Sequence, residues 1–383
     1  MRCVGEMSSD LEAAEAVGCA TPNPKVTVLM PVYNGERFLR EALDSVLTQT
    51  FTDFELLVVN DGSTDQTATI IESYSDRRLR IVTNRRNIGV AGAIRRGLDY
   101  ARGEYVARID ADDIALPERL EKQVEYLDLH PEVGMVASLC LVIDEDGRPA
   151  EGATALTPEQ IYYSLGFYNS IFNPSVTFRK AFVLSLGGYG DDSTNRVEDY
   201  DLWVRIARRA KIVQLHEVLA YWRESRTNAT NSMRGPMSEA AKRVFLKNLQ
   251  SLTNNSVAAE ELLCFHYLGD RDTYPVVTIR YRSLLLLEEV QKKLVVDAPE
   301  GLRKSEIEDY CQSQLRDHIC SIFLNHQAWD MIRVVLNSRY RKLLLTVING
   351  EVLKRHARDT MKGVFGTIRK AAPLKPSKES FNN

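Results

Sequence analysis

Between residues 24 and 130 the chain alternates short apolar runs with stretches of helical spacing, and this alternation restricts it to an α/β sheet fold. Val26–Met30 is an apolar, β-branched run that Pro31 ends, the pattern of a buried parallel strand. Phe38, Leu39, Ala42, Leu43, Val46 and Leu47 then recur at helical spacing and offer one face to a sheet. Leu56–Asn60 and Leu79–Thr83 repeat the strand pattern. Tyr105, Val106, Ala107 and Ile109 end a further strand, and Pro117 opens a helix over 117–129. Val133–Val142 and Val176–Phe178 read as strands, with a turn at 144–152.

The strand ends carry the polar chemistry. Tyr33-Asn34-Gly35 supplies a turn after the first strand, and Asp61-Gly62-Ser63-Thr64-Asp65 follows the second. Gly62 permits a tight turn there, Ser63 or Thr64 offers a cap for the next helix, and Asp65 is a helix-start acid. Small residues at 87–92 open a helix through Tyr100 that Gly103 is expected to cap. Arg86 and Arg95 are either phosphate partners or solvated surface cations. Asp110 and Asp112 lie two residues apart at the fourth strand end, so in extended backbone they share a face. Open α/β sheets bind ligands at that edge, and convergent carboxylates suit Mg²⁺ or Mn²⁺ carrying phosphates.

Composition narrows the classes. At 383 residues with 44% apolar and 26% charged residues, the chain resembles an ordinary globular protein, and a net charge of −3 gives no support to nucleic-acid binding. Six cysteines are scattered without a C-x-x-C pair or zinc spacing, which fits a reducing compartment. The longest apolar runs, at 284–287 and 343–348, fall far short of the roughly 18 residues of a membrane span. Residues 1–23, with Glu6, Asp10, Glu12 and Glu15, read as a disordered leader without a secretory signal.

Four motifs in order, PKVTVLMPVYNGERFLREALDSVLTQTF at 24–51, ELLVVNDGSTDQT at 55–67, DADD at 110–113 and VEDYDLW at 197–203, strongly resemble the family 2 glycosyltransferases. The resemblance covers residues 24–235. It implies a GT-A fold: a nucleotide-binding, Rossmann-like, mixed and mostly parallel sheet flanked by helices. It also implies inverting transfer of sugar from a nucleoside diphosphate donor, UDP first among them. Base and ribose contacts would fall to Pro31, Tyr33, Asn34, Glu36 and Asp61, with Arg95, Asp110 and Ala111 completing the donor site. Asp112 would hold the metal with Asp110, and Asp113 would assist. Tyr33 and Asn34 alternatively only shape the turn.

In this resemblance Asp199 is the general base and Glu198 orients the acceptor, although on position alone the pair also fits helix-dipole complementation. Asn173 either meets an acceptor hydroxyl or serves the turn before Pro174, and Trp203 is either a sugar-stacking platform or core. The sequence departs from the pattern at Tyr221-Trp222-Arg223-Glu224-Ser225-Arg226, where many relatives place a His, so Arg223 or Arg226 would cover phosphate charge instead. No N-terminal Gly-rich loop supports a sugar nucleotidyltransferase. A non-catalytic nucleotide-sugar binding or scaffold protein would be expected to lack Asp110, Asp112 or Asp199, and all are present.

Beyond residue 235 the resemblance stops. Ser238–Leu252, Tyr281–Leu294, Lys304–Phe323 and Trp329–Leu345 have helical spacing and form an expected helical extension over 236–350. His318 and His326, eight apart, lack the carboxylates of a metal site. Residues 351–383 comprise a basic helix, Lys354–Lys370, and a disordered end; the helix is either solvated or laid on an anionic membrane. The expected setting is cytoplasmic, with peripheral contact at the inner face of the cell membrane, in assembly of a cell-surface glycan or glycolipid.

Overall fold

A computed structural model of the chain describes residues 23–152, 154–190, 197–225, 234–252 and 281–324. Its centre is a mixed α/β sheet. Strands β1 (Val26–Val32), β2 (Phe54–Asn60), β3 (Leu79–Thr83), β4 (Tyr105–Arg108), β5 (Ile114–Ala115), β6 (Val133–Ile143), β7 (Pro149–Gly152), β8 (Thr177–Arg179) and β9 (Lys211–Arg223) form it. The order is β3-β2-β1-β4-β8-β6-β9-β5, with β7 paired to β6 off this path. Pairing is parallel from β3 to β4 and again between β6 and β9. The pairs β4–β8, β6–β8, β6–β7 and β5–β9 are antiparallel.

β1 and β2 are buried along their whole length, which is why they read as continuous apolar runs. The chain runs from β1 outward to β2 and β3, then returns to place β4 on the other side of β1. That reversal makes the carboxyl ends of β1 and β4 the topological switch point of the sheet. Helices α1 (Leu39–Leu47), α2 (Thr67–Glu72), α3 (Val90–Tyr100) and α4 (Arg119–Leu129) accompany this half. Leu39, Ala42, Leu43 and Val46 of α1 join the buried cluster of β1 and β2.

Several local expectations change. α3 ends at Ala101 in extended backbone, and Gly103 is not its cap. A Cβ on Gly103 would lie 2.3 Å from the Thr27 amide nitrogen, so glycine is needed for close approach of two backbones. α4 begins at Arg119 rather than at Pro117. The turn expected at 144–152 contains β7, and β9, unanticipated, is paired with β6 over most of its length.

The second half adds α5 (Pro158–Leu165), α6 (Lys180–Ser185) and α7 (Glu198–Ala207), with a 3₁₀ turn at Asn173–Ser175. Thr157 and Gln160 form a reciprocal capping box at the start of α5. α8 (Arg234–Leu252), α9 (Tyr281–Asp297) and α10 (Lys304–Leu324) match three of the expected C-terminal helices. Residues 1–269 with 292–308 form one compact unit, and 270–291 with 309–383 a second. In the first, the Tyr162 hydroxyl donates to the Leu294 carbonyl at 3.1 Å. In the second, Gln291 Nε2 donates to the Cys311 carbonyl at 3.2 Å. Among the described residues no helix is long and apolar enough to cross a membrane. The expected leader, the stretch Trp329–Leu345, His318, His326 and the basic helix Lys354–Lys370 lie outside the described structure or its described side chains.

Candidate active site

The loops after β1, β2 and β4 meet at one edge of the sheet, and the first two are tied to each other. Asn34 adopts a left-handed φ of 50° and its Oδ1 accepts from the Thr64 amide at 2.8 Å. The Asn34 amide donates to Ser63 Oγ at 3.0 Å. Glu36 Oε2 accepts from the Gln66 amide at 2.9 Å, and Asp65 Oδ2 accepts from the Glu36 amide at 3.1 Å. Asp65 Oδ1 also accepts from the Thr67 amide at 3.0 Å, so Asp65, not Ser63 or Thr64, serves the start of α2. Tyr33 stays largely exposed beside them, and Pro31 is buried within β1.

Asp61 is buried at the tip of β2. Its carboxylate accepts from Asn84 Nδ2 at 2.6 Å and from the amides of Ile88 and Gly89, each at 3.0 Å. It therefore holds the small-residue loop in place. Gly62 has φ of 71°, and a Cβ there would lie 2.7 Å from the Arg86 carbonyl carbon. Arg95 Nη1 donates to the Gly190 carbonyl at 2.7 Å.

The DADD loop is gripped from behind by arginines. Arg108, fully buried, donates from Nη1 to the Leu29 carbonyl at 2.8 Å and from Nη2 to Asp110 Oδ1 at 2.7 Å. Asn173 Nδ2 reaches Asp110 Oδ2 at 3.1 Å. Asp113 is buried and its Oδ1 accepts from the Arg223 amide at 2.8 Å. Arg223 donates from Nε to the Asp112 carbonyl at 2.9 Å and from Nη2 to Glu41 Oε2 at 2.5 Å. Ala111 Cβ would lie 3.7 Å from a Cβ on Gly35, which places this loop directly against the one after β1. The Asp112 carboxyl is pushed up to about 6 by burial and by the charge of Asp110.

α7 brings in the second acidic pair. Asp199 Oδ1 accepts from the Tyr200 amide at 2.7 Å and Oδ2 from Asn169 Nδ2 at 3.0 Å. Burial, then the charge of Asp110, pushes Asp199 up to about 6 against the pull of Arg108. Glu198 is buried with Oε2 unbonded, and burial together with Asp199 raises it to about 8. The two acidic motifs, 89 positions apart from Asp110 to Asp199, thus share one electrostatic neighbourhood.

The Glycosyl transferase family 2 model matches residues 27–182. The glycosyltransferase EpsE of Bacillus subtilis is 36% identical over 186 residues, covering 48% of this chain and 66% of EpsE. AmsE of Erwinia amylovora, an amylovoran biosynthesis glycosyltransferase, is 34% identical over 184 residues, covering 47% of this chain and 68% of AmsE. The chain belongs to glycosyl transferase family 2. The crystal structure of S. aureus TarS superposes at a TM-score of 0.49 and 21% identity, over 72% of this chain and 49% of TarS. Asp199 lies beyond the span matched by the family model, so its place in this family 2 chain rests on geometry.

That geometry changes three expectations. Trp203 is wholly buried against Phe178 and Tyr189, with ring centroids 6.3 Å apart in both pairs, so it is core and not a sugar-stacking platform. Arg223 is buried in bonds to protein groups and does not cover phosphate charge, while Arg226 lies outside the described residues. Asn173 turns its amide to Asp110, a contact that neither of its two expected roles named. Asn169 was not singled out from sequence. It sits in an aromatic run, and its partner is 30 positions away.

The residues fit a divalent cation at Asp112. Both Asp110 oxygens are bonded within the protein and Asp113 is buried behind the loop against Arg223, which leaves half-buried Asp112 as the carboxylate of the motif placed to meet a cation. No three His, Cys, Asp or Glu side chains converge as a metal cage among the described residues. A hard cation here would complete its shell with donor phosphate and water, as Mg²⁺ and Mn²⁺ commonly do.

Proposed function

We propose that this family 2 chain is an inverting hexosyltransferase that moves a sugar from a nucleoside diphosphate sugar, UDP foremost, to a hydroxyl of a glycan or glycolipid. The carrying observation is that one segment bonds both acidic motifs, Asn169 to Asp199 at 3.0 Å and Asn173 to Asp110 at 3.1 Å, so Asp199 lies beside the donor-side loop, where burial and the Asp110 charge raise it to about 6. A base needs this: ionised at pH 7, yet basic enough to take a proton from a hydroxyl as it attacks the anomeric carbon. Bound at Asp112, Mn²⁺ or Mg²⁺ would neutralise charge on the departing nucleoside diphosphate.

The loops after β1 and β2 form the nucleotide rim, with Tyr33 exposed for stacking on the base. Asn34, Glu36 and Asp61 serve that rim by holding its shape. Glu198, protonated at neutral pH, borders the acceptor side. AmsE is named for amylovoran biosynthesis, and we assign this chain to the same class of work, assembly of a cell-surface glycan.

The test is a thermal-shift screen of UDP, GDP, TDP and CMP, each with and without Mn²⁺. A ligand at 100 times its Kd adds about 2.7 kcal/mol, so the donor nucleotide is readily seen. Metal-dependent stabilisation by one nucleotide, lost in Asp112→Ala, is the expected result. Stabilisation by none would leave the enzyme reading without a donor site.

A further inference from the structure

The segment 166–175 carries two asparagines that reach opposite halves of the site. Asn169 Oδ1 accepts from the Ile171 amide at 3.1 Å, which fixes the amide so that Nδ2 faces Asp199 Oδ2 at 3.0 Å. Four residues on, Asn173 Nδ2 faces Asp110 Oδ2 at 3.1 Å.

Both ends of the segment are anchored. Asn248 Nδ2 donates to the Gly166 carbonyl at 3.0 Å, and the Tyr200 hydroxyl donates to the Leu165 carbonyl at 3.2 Å. At the other end, Gln123 Nε2 donates to the Ser175 carbonyl at 2.6 Å, and Ser175 Oγ donates to the Phe172 carbonyl at 2.7 Å. The two amides are therefore held on a short strap fastened at each end.

We propose that Asn169 is the positioning residue for Asp199, and that the strap fixes the base relative to the donor-side carboxylate Asp110 through Asn169 and Asn173. This rests on the reading of Asp199 as base. An Asp side chain has two χ angles, and the Tyr200 amide alone restrains one oxygen; the Asn169 amide restrains the second and so sets the carboxylate plane. A neutral donor also stabilises the ionised form without adding a charge that would compete with the donor diphosphate.

The groups facing Asp199 are Arg108 at the end of β4 and Asp110 in the loop after it, Tyr189 ahead of α7, Glu198 on α7, and Asn169. Asp110 carries a negative charge and so disfavours a second one on Asp199, whereas Glu198, held protonated by burial, adds none. Arg108 opposes Asp110 but is already paired with it at 2.7 Å. Asn169 supplies a direct side-chain donor to the carboxylate in this set.

Asn169 is exposed, so its substitution does not threaten the fold. The test is the cost of Asn169→Ala in thermal unfolding at pH 5 and pH 8, in wild type and in Asp199→Asn. Because the amide favours ionised Asp199, its loss should lower Tm by about 2 °C more at pH 8 than at pH 5. In Asp199→Asn that difference should vanish. Asn169→Asp, which opposes two carboxylates, should lose more than Asn169→Ala at pH 8. An equal cost at both pH values, or a difference that survives in Asp199→Asn, would overturn the proposal. Failure of the base reading itself would show separately, as undiminished sugar transfer by Asp199→Asn.

Discussion

The backbone amide of Arg223 donates to Asp113 Oδ1 at 2.8 Å, although 110 positions separate the two residues. The same arginine reaches forward to the Asp112 carbonyl, so the end of β9 sets the shape of the DADD loop. Pairing of Ile114 with Tyr221 and of Ala115 with Ala220 extends this contact into the sheet. Arg223→Ala should cost about 1–3 kcal/mol in denaturant unfolding, because the Asp112 carbonyl loses its donor while Glu41, the paired carboxylate, is half exposed and the Asp113 bond is made by the backbone. Arg223→Lys should recover little, because a single ammonium cannot reproduce bonds from Nε and Nη2 together.

Asp112 provides a stability test without any ligand. Its folded pKa of about 6 lies above the ordinary 3.8, so its native-state advantage is present below pH 3.8 and is lost as pH rises through 6. Metal-free Asp112→Asn should therefore melt above wild type at pH 8 and level with it near pH 4. The same variant should lose metal-dependent nucleotide binding, measured by calorimetry.

Asp199→Asn should lower kcat by about 10²–10⁴-fold while leaving donor affinity unchanged. In wild type, turnover should fall about tenfold per pH unit below pH 6, because the base must be ionised. A pH–rate profile flat down to pH 5 would contradict the assignment.

Glu198 gives a stability effect of the same sign as that of Asp112. Its pKa is raised from 4.5 to about 8, so wild type loses stability progressively across that window. Glu198→Gln keeps the shape and removes the titration. It should gain about 1–2 kcal/mol over wild type at pH 8 and nothing at pH 4, read by urea unfolding at each pH.

The first half of the fold was legible because β1 and β2 are buried on both faces and therefore consist of apolar runs. β9 escaped for the opposite reason. Its residues Lys211–Arg223 include exposed His216 and Glu217, and its register against β6 shifts near Ser138 and Leu139, which breaks the pattern a strand leaves in sequence. Asp110, Asp112 and Asp199 were singled out through motifs, and the fold brings Asp110 and Asp199 into one neighbourhood, whereas the bond of Asn169 is to a neighbour distant in sequence. Trp203 illustrates the limit from the other side. A tryptophan in an amphipathic helix has the same spacing whether it packs on Phe178 or meets a ligand, and only the fold decides.

The reciprocal bonds between the loops after β1 and β2 bear on how a ligand is received. Asn34, Glu36, Ser63 and Asp65 satisfy one another's backbone and side-chain groups before anything is bound. The rim is thus preorganised: the entropy of ordering it is spent during folding, not at encounter. On the proposed reading, a nucleotide arriving there would meet a socket already shaped, so association should be fast and accompanied by little change in amide exchange across residues 33–36 and 63–67.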